Sequence, residues 1–345
     1  MCGIIAVVRR RSDRATPTSD ELVHPLEGAA ERLSAAPASE LSHAIAGVAE
    51  RVEQVDRLLR GTAGIAALLG DRSLPAVLAS LVAEIGAALA SVEGGLDDDP
   101  APGAALEAVN AAVIRLKDGL WAIERDRLRS ATAVADLAGA TPTPSAIEAF
   151  ASVQAALSAL DRLEVRGRDS AGLMLLVHGH GIDVNEPALA ALLAARAGDP
   201  LFTSGAVRVT PEGHLSFVYK AAAEIGELGD NSAVLRAAIR GDALLHLAVA
   251  GEGAEVTVLG HTRWASIGII SQPNAHPMNS DEVGRDSGPY VTAALNGDVD
   301  NLRTSRSPMS CALPPRSRAT PRSSPRSSRA ASLLAMSRWT HSARP

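Results

Sequence analysis

Between residues 41 and 123 apolar side chains return every three or four positions, and this spacing confines the middle of the chain to packed helices. Leu41, Ile45, Val48, Val52, Val55 and Leu59 form one seam; Leu74, Leu78, Leu81, Ile85, Leu89 and Val92 form a second; Leu106, Val109, Val113, Leu116, Leu120 and Ile123 form a third. Side chains at this period share one helix face, which must be buried against another. Breaks fall at Gly70 to Leu74, at Gly94 to Gly103 with its Asp and Pro cluster, and at Thr141-Pro142-Thr143-Pro144. The economical arrangement is an all-helical unit over residues 14–144, three or more helices in an antiparallel bundle. Two readings stay open for it: a self-contained bundle without a ligand, and an arm that binds a partner or forms a homo-oligomer.

Aromatic residues make up 2% of the 345, so cores must be built from Leu, Val, Ile and Ala. With two cysteines, Cys2 and Cys311, no disulfide framework is expected, and a reducing cytoplasmic setting fits. The apolar run Gly3 to Val8 meets Arg9-Arg10-Arg11 and is too short for a signal peptide or a span, so no membrane segment is expected. Cys-x-x-Cys and His-Glu-x-x-His spacings are absent, and neither a metal nor a cofactor is expected.

Charge divides the chain sharply. All 39 acidic side chains lie before residue 303, whereas nine of the 33 basic ones, all arginine, lie from Arg303 onward among Ser, Pro, Ala and Thr; the overall −6 conceals an acidic body and a basic tail. The 303–345 tail reads as an arginine arm for RNA or an acidic surface, as a disordered tail, or as an out-of-frame sequence. Without lysine, and with Trp339 as its one aromatic residue, it favours the out-of-frame reading, and no nucleic-acid partner is expected.

Outside the helical stretch the pattern is mixed α and β. Gly3 to Val8 reads as a buried strand with Cys2 at its exposed tip. A helix is expected from about 145 to 163, strands at Ala171 to Val177 and Leu215 to Tyr219, and a helix at Ser232 to Arg240. Further strands are expected at Ala243 to Val249, Val256 to Gly260 and Tyr290 to Leu295, with a smaller insertion over Gly181 to Pro211.

Cys2 carries the first chemical signal. Removal of Met1 would expose its α-amine beside its thiol; reference pKa values of about 7.7 to 8.0 and about 8.5 let the amine take the thiol proton near neutrality. Taken alone, a Met-Cys-Gly opening is also compatible with an ordinary cysteine. Four later segments follow in order: Leu163-Glu164-Val165-Arg166-Gly167-Arg168-Asp169-Ser170-Ala171-Gly172, His261-Thr262-Arg263-Trp264-Ala265-Ser266-Ile267-Gly268, Asn274-Ala275-His276-Pro277 and Asn296-Gly297-Asp298. With Cys2-Gly3-Ile4-Ile5, this series resembles the class II, N-terminal nucleophile glutaminase domain of glutamine:fructose-6-phosphate aminotransferase (isomerizing), the glucosamine-6-phosphate synthase family.

The resemblance implies an α+β fold, a four-layer αββα sandwich of 1–13 and 145–302 interrupted by the helical insertion at 14–144. It implies that Cys2 attacks the side-chain amide of glutamine and that Asn296 and the Gly297 N–H form the oxyanion hole. Arg263 would hold the substrate carboxylate through a two-pronged pair. Trp264 would sit near the passage to the sugar site, and Ser266 and Gly268 would complete the substrate segment. Arg166 and Asp169 either orient Cys2 or simply pair with each other or cap a turn; His276 is either support or a packed loop residue. Departures accompany the matches: Ile267 stands where the family has histidine, Leu295 where a histidine often precedes Asn-Gly, and no Thr-Asp-Thr-Glu stretch follows Asn301. The domain is therefore expected to be incomplete, with fructose 6-phosphate served by a missing isomerase domain. The expected activity is release of ammonia from glutamine; the alternative is a catalytically dead fragment or a helical binding protein.

Overall fold

The computed structural model describes residues 2–98, 103–139, 142–222, 227–265, 269–280 and 290–297. Ser266, Ile267, Gly268, Asp298 and the 303–345 tail lie outside the described residues. The chain divides into two compact units, one formed by Arg11–Asp136 and the other by the described residues on either side.

The Arg11–Asp136 unit is helical. It contains α1 (Ser19–Val23), α2 (Ala29–Ser34), α3 (Leu41–Leu59), α4 (Gly61–Gly70), α5 (Leu74–Asp98), α6 (Gly103–Trp121), a π-helical segment (Ala122–Leu128) and most of α7 (Arg129–Ala138). α3 packs on α6, and α2 on α5. The seams meet in one core with Ile45, Val52, Leu59, Leu78, Leu89, Leu116 and Ile123 buried. Three seam positions differ: Leu81, Val92 and Leu106 are half-buried, and beside Leu81 it is Val82 that is buried.

Local signals explain the helix ends. Thr18 caps α1 in a capping box with Glu21. The Arg14 guanidinium donates to the Arg57 and Leu58 carbonyls at the end of α3, where helical donors run out. Asp56 is buried on α3 and paired with Arg60 and with Arg127 of the π-helical segment. By length and composition Leu74–Leu96 could cross a membrane, yet its Leu74, Leu78, Ile85 and Leu89 belong to the helical core.

The second unit is built on a five-stranded antiparallel sheet of β1 (Gly3–Val8), β2 (Ser170–His178), β3 (Val207–Val209), β4 (Leu215–Ala221) and β5 (Glu255–Arg263), in the order β1-β5-β2-β4-β3. The fold class is thus α+β. α8 (Pro144–Leu163) packs on β5 and β1, α10 (Asp230–Arg240) on β4 and β2, and α11 (Ala243–Ala250) on α8. α9 (Pro187–Ala197) lies in the expected smaller insertion, beside β3. A two-stranded ladder, β6 (Met278–Asn279) with β7 (Thr292–Ala293), completes the described residues.

Two buried carboxylates organise the helices. Glu164 accepts from the Gly229 and Ser232 backbone N–H groups and the Ser232 hydroxyl, capping α10 from outside its own sequence. Asp242 caps α11 through the Leu244 and Leu245 N–H groups, pairs with both terminal nitrogens of Arg196 and accepts from the Tyr219 hydroxyl at 2.7 Å. Ala243–Ala250 is therefore a helix where a strand was expected. The run is apolar on every side, so periodicity cannot discriminate, and the Asp242 cap decides. Tyr290 to Leu295 forms a strand only at Thr292–Ala293.

Candidate functional site

Antiparallel pairing of β1 and β5, with Gly3 opposite Thr262, brings Cys2 to the Arg263–Trp264 end of β5. Thr262 is fully buried; its hydroxyl accepts from the Gly3 N–H at 3.2 Å and donates to the Leu163 carbonyl at 3.4 Å. One side chain thus ties β1, β5 and the end of α8 together below the thiol. A Cβ on Gly3 would stand 2.7 Å from Leu163, so the close approach needs glycine.

The Cys2 sulfur lies on the Trp264 peptide, 3.5 Å from its N–H nitrogen and 3.9 Å from its carbonyl oxygen. Asp169 fixes this turn from β2's side: its N–H donates to the Arg263 carbonyl at 3.1 Å, and its carboxylate accepts from the Ala265 N–H. Of the two readings for Asp169, the turn cap describes its contacts. Arg166 ends a short 3-10 turn (Glu164–Arg166) and is exposed; among the described residues it has no hydrogen bond or ion pair with Cys2 or Asp169.

Asn296 meets Cys2 from the far end of the sequence. Its side-chain oxygen accepts from the Cys2 nitrogen at 3.3 Å, and its amide nitrogen donates to the Cys2 carbonyl at 2.9 Å. An amide NH2 has two hydrogens, so one remains for a further acceptor. Gly297 has φ +156°, and open space surrounds the position of a Cβ; glycine there serves backbone conformation and leaves the approach clear.

Arg263 is half-buried and donates to the Ile269 carbonyl at 3.3 Å. Burial lowers its pKa from the ordinary guanidinium value, opposed by Cys2 and Asp169 nearby. Trp264 is 55% exposed, so its indole is available at the mouth of the site.

Behind these groups lie His261 and His276, both buried, with ring centroids 4.7 Å apart. Burial, the main cause, and the neighbouring charge push His261 down to about 3 and His276 to about 4. His276 lies over β2 where Gly172 leaves room: a Cβ there would fall 2.1 Å from the His276 carbonyl oxygen.

Cys2, Arg263, Trp264, Asp169, Asn296 and Gly297 thus lie around the end of β5, with His276 behind them, whereas Arg166 points to solvent. Thr262 and His261 are additions that their place in a strand motif did not flag as functional. Among the described residues no group of three His, Cys, Asp or Glu side chains could hold a metal ion. No family model, curated protein or solved structure matches the chain.

Proposed function

We propose that the chain is a glutamine amidohydrolase half-site of the N-terminal nucleophile type, as its likeness to the glucosamine-6-phosphate synthase glutaminase suggests. The observation that carries the reading is convergence on Cys2: its sulfur lies against the Trp264 peptide, and its nitrogen and carbonyl are held by the Asn296 side chain.

In this reading the Cys2 α-amine, freed of Met1, takes the thiol proton, and the sulfur attacks the glutamine side-chain carbonyl carbon. The oxyanion receives the spare Asn296 amide hydrogen and the Gly297 N–H. Collapse breaks the carbon–nitrogen bond, the leaving group takes a proton to depart as ammonia, and a γ-glutamyl thioester remains. Water then hydrolyses the thioester to glutamate and restores the thiol. Arg263 receives the substrate carboxylate, a task its planar fork suits; Ser266 and Gly268 belong to the same substrate segment.

The four-layer αββα sandwich and delivery of ammonia to fructose 6-phosphate rest on the resemblance alone, and the cytoplasmic location on the sparse cysteines and the free thiol the mechanism needs. A second reading, a catalytically dead chain whose helices bind a partner or a second copy, draws on Ile114 and Trp121. Both are exposed on α6, 60% and 58%, one heptad apart.

Glutamine hydrolysis by the purified chain, read as ammonia release, separates the two readings. The amidohydrolase reading expects turnover that vanishes in Cys2→Ala and a raised KM in Arg263→Lys. A Cys2→Ala chain as active as its parent would sink it.

A further inference from the structure

We propose that His261 and His276 act as a pair of positioning residues that hold the segment bearing Asn296 and Gly297 against Cys2. Each ring donates one hydrogen bond to that segment. His261 Nε2 lies 3.1 Å from the Leu295 carbonyl oxygen; a carbonyl only accepts, so Nε2 carries the hydrogen. His276 hydrogen-bonds the Ala293 backbone. Both Nδ1 atoms are buried without a hydrogen-bond partner among the described residues, which leaves the other nitrogen of each ring as the donor. Ala293 and Leu295 are two residues apart, so the two donors hold the segment at two points, and Asn296 is the next residue.

The platform beneath the pair is built for it. His261 is the cross-strand partner of Gly172 on β2, and Lys220 on β4 is the partner on its other side. The absent Gly172 side chain creates the space the His276 backbone fills. Among the described residues the basic side chains facing the rings are Arg263 from β5 and Lys220 from β4. Protonating the rings would crowd positive charge at one place, so the bracket holds while the imidazoles are neutral and fails as both become charged.

The functional consequence rests on the amidohydrolase reading, but the geometry can be tested without turnover. The full chain, labelled with nitrogen-15 at asparagine and histidine, is compared with His261→Leu and His261→Gln, the latter restoring an amide donor. Asn296 is assigned by Asn296→Asp. The expected result is a displaced Asn296 side-chain amide signal in the leucine chain, regained in the glutamine chain, with labelling of Cys2 by 6-diazo-5-oxo-L-norleucine at least tenfold slower in the former. Should His261→Leu fail to fold, acid titration of the parent serves instead: the Asn296 amide and both imidazole signals should move together. An unmoved amide in a folded leucine chain, or an amide indifferent to imidazole protonation, overturns the proposal. A displaced amide in chains that never react with the analogue upholds the bracket and removes the amidohydrolase reading.

Discussion

Thr262 has one hydroxyl and two obligations. Replacing it with valine keeps the shape and leaves the buried Gly3 N–H without its acceptor. An unmet buried donor costs about 1–3 kcal/mol, so Thr262→Val should lower unfolding free energy by about that amount in urea titration, while Thr262→Ser should recover most of it. Gly172 is stricter. A methyl 2.1 Å from the His276 carbonyl forces backbone apart, and Gly172→Ala should cost about 1–3 kcal/mol or more by the same measurement. At this scale the sequence was legible where residue type announces chemistry: Cys2, Arg263 and the Asn296-Gly297 pair come together. Thr262 and His261 stayed hidden because a polar residue in a strand shows its partners only after the strands pair. Asp169 was legible only as two alternatives, since a carboxylate two residues after glycine suits both orienting Cys2 and an ion pair or turn cap.

Elements in this chain depend on contacts far away in sequence. α10 begins at Asp230, yet its cap is Glu164 on another segment; no local pattern could reveal that. Truncating Glu164 to alanine uncaps those N–H groups and should cost about 1–3 kcal/mol, seen as a lower thermal midpoint. The buried His261–His276 pair adds pH dependence. His261 and His276 have folded pKa values of about 3 and about 4, below the ordinary histidine value. The unfolded chain therefore binds protons first as pH falls below about 6.5. Their contribution is fully present above that pH and is lost as pH falls toward the folded values. Thermal midpoints should decline from pH 7 to pH 4, and a His261→Gln, His276→Gln double variant should flatten that decline; an unchanged slope would contradict the assignment. The helical seams were legible because a strict three-and-four spacing has one structural meaning, whereas Ala243–Ala250, apolar on all sides, had two.

Across the whole chain the two units differ in how visible they were. The helical unit declares itself through periodicity sustained from Leu41 to Ile123, and its observed bounds, Arg11–Asp136, sit a few residues earlier than the 14–144 stretch read from the sequence. The sheet unit is assembled from distant segments, so strand order and register were not legible from local spacing. One consequence of that order is that β1 lies at the edge of the five-stranded sheet with Ile4 and Val8 exposed, 43% and 78%. An apolar edge is a template for pairing with another chain. Val8→Lys should reduce concentration-dependent association, measured by light scattering, with little change in the thermal midpoint.

On the proposed reading, Cys2 is a nucleophile shaped for glutamine. The most direct test is intact-mass analysis of the purified chain before and after 6-diazo-5-oxo-L-norleucine, followed by peptide mapping. The expected result is a chain lacking Met1 that gains one adduct, on Cys2, and none in Cys2→Ala. A soluble, Met1-processed chain whose Cys2 stays unmodified would contradict it.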